Sequence, residues 1–586
     1  MLPFPDCFEN VMFSDILEND LYIKEVYQAM GSDDLSEPII VIINLMKNGI
    51  YPTPFKNKNE DLSNEYRNEG NSAYKNKKYQ KALICYNKAL AYAPNMSRAM
   101  KLAYSNRSAL LINFRHYKAC LNDISTCMTM GCPDDILEKL MKRRETAQRA
   151  LWLENIQKKY NSYAEDFFKI PKRHPDVPCA SSQIDITMDS KFPKIVAKTD
   201  IKVGTVLALE KAFVVSPCPF DDAGSNYTTC SYCLKMSLNL FPCEGCTLAL
   251  FCSKQCNELC LKEYHNTECH VAGFVKNRPD IQIPLRAAIK VRNMCKSWDE
   301  LVALSNRYNS KKVKSSINEI FNSNNPSSLL TFNYDVNFLH GMLFNATLIW
   351  SFCIIIINNS ECFFPQSGDD KAKAIRAFAR ILIYLTIFSP PTYMILPESD
   401  TFDEITKFSK HPSFGLFPFI GKLKHSCIPN TRAAALNNTM ALVALQPIKA
   451  GTELTITPVF HWLDCPQTKQ DRQNRMLWFY RTVCSCVVCE ASPHDWALMR
   501  QNSQLSVTQR RKHKMIFSNE SPENFFEPNK TAGIYKKICE CLELLNDVPF
   551  SKEYADMYRY FRKCLLYLQD YKSQNIVLDD SIDVYM

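Results

Sequence analysis

At 586 residues and 67.5 kDa the chain is longer than one hydrophobic core sustains, about 250–300 residues, so several structural units are expected. Its 70 basic and 61 acidic residues leave a formal charge of +9 with no basic stripe, which gives no ground for direct nucleic-acid binding. The 26 cysteines are clustered, and the opening MLPFPDCFENVMFSDILEND carries acids where a secretory signal would carry bases. The thiols therefore read as metal ligands in a reducing compartment rather than as disulfides.

Residues 1–60 read as a short helical prelude. From Asn64 the pattern becomes NEYRNEGNSAYKNKKYQKALICYNKALAYAP. Gly70, Tyr74, Tyr79, Ala82, Tyr86, Ala89 and Pro94 fall where two packed helices need them: small Gly70 and Ala82 let the helices approach, the tyrosines fill the groove between them, and Pro94 ends the second. This pattern is that of a tetratricopeptide repeat. A second unit, SNRSALLINFRHYKACLNDISTC, follows, and a third helix begins in ILEKLMKRRETAQRAL, giving repeats over 61–155. One repeat cannot bury its own face, so neighbours are required.

Strands are expected in IVAKTDIKVGTVLALEKAFVV, as a hairpin about Lys202-Val203-Gly204, and in TRAAALNNTMALVALQPIKAGTELTIT, with turns at Asn437-Asn438 and near Gly451. Residues 271–400 read as mostly helical. The apolar runs Met342–Ile357 and Ile381–Leu396 are shorter than the roughly 20 residues a bilayer needs and are interrupted by Asn345 and by Pro390-Pro391, so they read as buried core without membrane contact. Helical periodicity returns in GIYKKICECLELL and YADMYRYFRKCLLYL.

Between the strand segments lie Cys230-x2-Cys233, Cys243-x2-Cys246, Cys252-x3-Cys256 and His265-x3-Cys269. Each short pair supplies two ligands from one turn, and zinc takes four tetrahedral ligands, so eight ligands imply two ions. Pairing the first with the third pair, and the second with the fourth, would brace a module too small for its own core. Cys260 and His270 fall out of step and are not counted as ligands. Cys484-x-Cys486-x2-Cys489 lacks one ligand for a third ion, and Cys427 in KLKHSCIPNT is the candidate.

The finger, with CSKQC at its middle and YHNTEC at its end, resembles the MYND zinc finger, a protein-binding module that takes proline-containing peptides or corepressors. Together with GLFPFIGKLKHSCIPNT, VALQPIKAGTELTIT and CSCVVC, it resembles the SET- and MYND-domain protein-lysine methyltransferases, in the repeat-bearing fourth subgroup. The resemblance implies an α+β multidomain protein. It would have a helical prelude (1–60), all-α repeats (61–155), a β-rich SET domain split into 178–229 and 270–460 by the finger (230–269), a post-SET zinc loop (461–492) and a helical C-terminal region (493–586).

It also implies methyl transfer from S-adenosylmethionine to a lysine of a histone or non-histone protein, with three zinc ions and a regulatory, transcription-related role. In that scheme Lys424, His425, Ser426 and Tyr480 contact the cofactor, and Tyr480 also lines the lysine channel as the catalytic candidate. Three positions depart from the family pattern: Lys424 replaces an asparagine, Pro458 a tyrosine, and Phe192 interrupts a glycine turn. A non-catalytic adaptor built on the same modules is therefore the alternative function. A base-reading finger is disfavoured, since EGCTLAL between the cysteines offers no recognition helix.

On the repeats, Arg67 and Asn71, Asn106, and Lys139 with Arg143 occupy the positions of a carboxylate clamp, with i, i+4 pairs sharing a face. The clamp matches that for the acidic C-terminal tails of heat-shock chaperones. The run Arg510-Arg511-Lys512-His513-Lys514 is compatible with both cytoplasm and nucleus.

Overall fold

The computed structural model describes residues 20–46, 58–157, 168–188, 193–217, 227–275, 278–309, 316–331, 340–359, 363–366, 368–388, 393–395, 413–457, 468–480, 483–492, 499, 501–517 and 528–568. The described residues are helical toward both termini, with a set of small sheets between.

Two N-terminal helices, Asp20–Met30 and Glu37–Met46, bury Val26, Ile39 and Ile42 in the same apolar cluster as the helices His340–Asn359 and Gly368–Phe388. Their connection is pinned by a fork: Arg380 donates from Nε and Nη2 to the two oxygens of Asp34, each at 2.8 Å, and Arg376 reaches Glu37 at 2.9 Å.

The repeats form five helices, Glu60–Lys75, Tyr79–Tyr92, Arg98–Asn113, Tyr117–Thr129 and Asp134–Gln157. Asn59 and Ser97 accept from the amides of Leu62 and Met100 and so start the first and third. A Cβ at Gly70 would stand 2.6 Å from the Tyr86 ring, which is why this helix pair needs glycine there.

In the SET region β1 (Ile184–Thr187) pairs antiparallel with β2 (Lys194–Ala197). β3 (Val206–Lys211) lies beside β11 (Thr439–Ala444), which pairs in turn with β10 (Thr431–Leu436), all antiparallel. β4 (Val214–Pro217), β8 (Ser413–Leu416) and β7 (Tyr393–Ile395) make a second antiparallel sheet. β9 (Lys424–His425) and β12 (Thr455–Ile456) pair in parallel. The finger's own β5 (Phe241–Pro242) and β6 (Leu250–Phe251) pair antiparallel.

The hairpin expected about Lys202-Val203-Gly204 does not form. β2 and β3 belong to different sheets, and the segment between them bridges Ile201 to Ile448 instead. The turn is held from outside. Gly204 has φ +82°, and a Cβ there would meet Cys539 Sγ at 2.7 Å. The Val203 amide donates to Glu543 and Tyr535 donates to the Gly204 carbonyl, so the turn is a docking point for the C-terminal helix Pro528–Leu544. At Asn437-Asn438 the expected turn does join paired strands, with Asn437 at φ 57°.

Pro528–Leu544 and Lys552–Leu568 lay Ile538, Leu542, Tyr558 and Phe561 against Val206, Ala441 and Val443, covering one face of the β10–β11–β3 sheet. The described parts of the two apolar runs are core: Leu348, Ile349, Trp350 and Leu382 are fully buried. Among the described residues no helix is long and apolar enough to cross a membrane.

Candidate functional site

Three groups of metal-type ligands assemble. The first holds Cys230, Cys233, Cys252 and Cys256 and the second Cys243, Cys246, His265 and Cys269, so the four pairs interleave. The third joins Cys427 to Cys484, Cys486 and Cys489. Within each group the donor atoms lie within 4.8 Å of one another. Sulfur separations are 3.5 Å for Cys233–Cys252, 3.8 Å for Cys243–Cys269 and 3.5 Å for Cys427–Cys489. Tetrahedral zinc with Zn–S near 2.3 Å places sulfurs about 3.8 Å apart, whereas a disulfide needs about 2.05 Å. The donor sets fit zinc in chemistry and in spacing.

Local structure builds each turn. Leu234 at φ 60° closes the first turn, its amide donating to the Cys230 carbonyl while the Cys230 amide donates to the Lys235 carbonyl. The Gly245 amide donates to Cys243 Sγ at 3.3 Å, and a Cβ at Gly245 would crowd Cys269 Sγ at 2.7 Å, so only glycine fits. Ser253 caps the helix Lys254–Cys260 by accepting from the Cys256 amide. That helix passes into a π-helical turn, Leu261–His265, which carries His265 to the second group. Cys260 stays outside both groups. It is buried, and burial pushes its thiol up to about 12.

Side chains that are not themselves ligands support the second group. His265 Nδ1 lies 2.8 Å from Glu268 Oε2, leaving Nε2 to face Cys246 Sγ at 3.5 Å. Burial opposes ionisation of Glu268, yet Arg286 and His265 beside it bring its carboxyl down to about 2. Arg286 Nε reaches Glu268 Oε1 at 2.6 Å and Gln282 Nε2 reaches the same oxygen at 2.9 Å. Both come from the helix Pro279–Met294, and Arg286 also donates to the Val215 carbonyl of β4. The finger's histidine is thus oriented by a carboxylate that the SET region neutralises, an arrangement that fixes tautomer and ring angle.

The third group organises the segment where the cofactor is expected. β9 and β12 cross side by side, with Lys424 opposite Thr455 and His425 opposite Ile456. Asn430 ties the crossing: its Nδ2 donates to the Glu453 carbonyl and its Oδ1 accepts from the Thr455 amide at 2.7 Å. Ser426 Oγ donates to the Ile428 carbonyl at 2.9 Å. Gln473, on the helix Lys469–Tyr480, brackets Cys484 by donating to its carbonyl and accepting from its amide.

His425 is largely buried, and burial brings its imidazole down to about 4. Its Nδ1 has no hydrogen-bond partner among the described residues. An orphaned polar atom in this turn is what a bound polar cofactor would satisfy. The Lys424 side chain does not join His425 and Ser426. Its ammonium is 3.7 Å from Glu453 Oε2 and its side chain is 58% exposed, so only its backbone belongs to the turn, and the cation is turned to water, where it is well solvated. Tyr480 ends its helix, its side chain lying outside the described residues, as do Phe192 and Pro458.

On the repeats, Asn106 Nδ2 donates to Asn71 Oδ1 at 2.7 Å, and Tyr86 donates to the same oxygen. Arg143 donates to the Ser105 carbonyl and Ser108 Oγ. Lys139, one turn earlier, is exposed. Arg67 donates to Asn64, and its Nε is buried without a partner. The two asparagines therefore meet, while Arg143 is engaged by its own repeats.

Comparison with known proteins agrees with this geometry. The SET domain profile matches residues 194–457 and a tetratricopeptide repeat profile matches residues 63–96. The protein-lysine N-methyltransferase SMYD4 of Homo sapiens is 23% identical over 559 residues, covering 75% of this chain and 68% of its own. SMYD4 of Gallus gallus is 28% identical over 274 residues, 36% of this chain and 37% of its own. The histone-lysine N-methyltransferase SMYD3 of Mus musculus is 23% identical over 283 residues, 48% and 56% respectively. These matches support the SET- and MYND-domain methyltransferase family, in its repeat-bearing fourth subgroup. The architecture has helical repeats, a β-containing SET domain, cysteine clusters that include the MYND-like site, and a helical C-terminal region.

Proposed function

We propose that this protein transfers a methyl group from S-adenosylmethionine to a lysine side chain of a protein substrate. The observation that carries the reading is the turn Lys424–Asn430 crossing β12, with a buried His425 nitrogen unpartnered and Cys427 anchored in the third metal group. When bound, the cofactor supplies an electrophilic methyl on a sulfonium. His425, Ser426 and the Lys424 backbone would hold it, and Lys424, exposed and paired with Glu453, brings no cation against that sulfonium.

The rest of the work is alignment. A held in-line geometry supplies several kcal/mol of the barrier, roughly 7–11 in the best intramolecular cases. The substrate amine must also be neutral, and a narrow, water-poor channel favours that form. Tyr480, at the end of a helix tied to Cys484 through Gln473, is proposed to line that channel. Zinc at the third group would fix both walls at once, because Cys427 belongs to the turn and Cys484, Cys486 and Cys489 follow that helix.

The test is calorimetric titration of S-adenosylmethionine into zinc-loaded protein, followed by transfer of labelled methyl to candidate substrates. Saturable binding and lysine labelling support the reading; absence of heat and of any thermal shift removes it. The paired Asn71 and Asn106, with exposed Lys139 nearby, favour acidic chaperone tails as partners of the repeats. An acidic peptide that binds wild type no better than the Lys139→Ala/Arg143→Ala variant removes that partner. For the substrate and its regulatory role, the basic helix Val507–Phe517 is compatible with work in cytoplasm and nucleus, which fluorescent tagging would check.

A further inference from the structure

The finger's edge over residues 236–244 is not a free surface. Met236, Leu238 and Leu240 are 5%, 3% and 0% exposed, and Met236 and Leu238 belong to the repeats' own apolar cluster with Tyr79, Leu90, Met100 and Tyr104. Among the described residues β5 pairs only with β6, so its outer side is a sheet edge, the kind of backbone template that ordinarily recruits another chain. Here the backbone carbonyls along and beside that edge are capped by side chains of the repeat region. Arg107 Nη1 donates to the Leu240 carbonyl at 2.6 Å, Lys58 Nζ to the Cys243 carbonyl at 2.7 Å, Asn95 to that of Glu244 at 3.2 Å and Asn87 to that of Tyr227 at 2.6 Å.

Arg107 is the centre of this contact. Its guanidinium is fully buried and forks onto Asp123, with Nε and Nη2 each 2.7 Å from a carboxylate oxygen. It also donates to Asn87 Oδ1 at 2.6 Å. A buried charge so placed must keep every partner, one of which is the finger's backbone. Lys58 in turn bridges the Ala91 carbonyl, at the end of a repeat helix, and the carbonyl of Cys243, itself a ligand of the second metal group.

We infer that the repeats occupy the finger's 236–244 edge as an intramolecular ligand, so that metal retention at Cys243, Cys246, His265 and Cys269 and docking of the repeats stabilise each other. Coupling of this kind is reciprocal: whatever the metal contributes to repeat docking, docking contributes to metal binding by the same factor. A partner chain that pairs with this edge has to displace the repeats, and partners that leave them in place meet the groove at Asn71 and Asn106 instead. The inference is independent of the methyl-transfer reading.

Hydrogen–deuterium exchange on the full-length, zinc-loaded chain tests it. In Cys243→Ser, exchange across the repeat helices 98–129 should rise by about tenfold or more, while Cys484→Ser, which opens the third group, should leave those helices at the wild-type rate. Equal exchange in Cys243→Ser and wild type, or an equal rise in both variants, overturns the inference. Lys58→Met, which leaves every metal ligand and the repeat core intact, should speed release of one zinc per chain to a competing chelator by about fivefold or more. Release at the wild-type rate overturns it as well.

Discussion

The finger with its repeats and the cofactor turn are both held by cysteine groups, yet they are built differently. In the finger eight ligands come from one stretch of forty residues, Cys230 to Cys269, and the surrounding side chains, Glu268, Arg286, Lys58 and Arg107, are buried or half-buried and fully engaged. The cofactor turn depends on segments far apart in the chain, with Cys427 57 residues from Cys484, and keeps a buried nitrogen of His425 open. The side chains that hold the finger's ligands have their partners within the chain, whereas the turn leaves His425 Nδ1 for a ligand; the unpartnered buried atoms of the first region, Arg67 Nε, Asn257 Oδ1 and the Tyr264 hydroxyl, belong to none of those side chains. That contrast is expected of a frame and of a site.

The largest expected effect breaks the third group. Cys427→Ser should lower zinc from three ions to two per chain by elemental analysis and lose a large part of the folding free energy of the loop, since structural zinc is worth about 10 kcal/mol or more in small modules. Retention of three ions would separate Cys427 from that group. Next, Arg107→Met leaves Asp123 buried without its counter-ion, which costs about 3–5 kcal/mol and should appear as a lower urea midpoint for the repeats.

Glu268→Gln removes the carboxylate that orients His265 and leaves Arg286 uncompensated. Zinc affinity at the second group should fall by about 10–100-fold, read by chelator competition, with the first group unchanged.

A smaller effect is set by pH. Burial pushes Glu210 from 4.5 up to about 7, against the amides of Phe419 and Ile420 that donate to it. Between these values the folded state binds the extra proton, so this group's contribution to stability is full below about 4.5 and is lost as pH rises to about 7. Stability of wild type relative to Glu210→Gln should therefore fall by about 3 kcal/mol across that window. A difference that stays flat with pH would show that the carboxyl is ionised throughout. The smallest effect belongs to Lys424→Asn. An exposed ion pair is worth about 0–1 kcal/mol, and the side chain is turned from the turn, so stability should move by less than about 1 kcal/mol. A larger loss would mean that the cation faces inward.

What was legible in the sequence follows the range of each interaction. The cysteine pairs and the repeat helices depend on neighbours within a few residues, so spacing alone exposed them, including the need for a small residue at Gly70. The strands about Gly204 were recognisable as strands, but alternation carries no information about pairing partners, and that turn is shaped by Tyr535 and Glu543, more than 300 residues away. Glu268 carried a faint signal, sitting three residues after His265 on helical turns, whereas nothing in the sequence marks Arg286 as its partner. Lys58 lay in a prelude with no readable pattern, because its carbonyl partners exist only after the finger and the repeats have met. The outward turn of Lys424 was likewise invisible until Glu453 came alongside.

The most direct measurement is titration of S-adenosylmethionine into protein whose zinc content has been determined. Chains carrying three zinc ions should bind one cofactor each, and Cys427→Ser chains should bind none. Fully zinc-loaded wild type that takes up no cofactor would contradict the account of the His425 turn as a cofactor site.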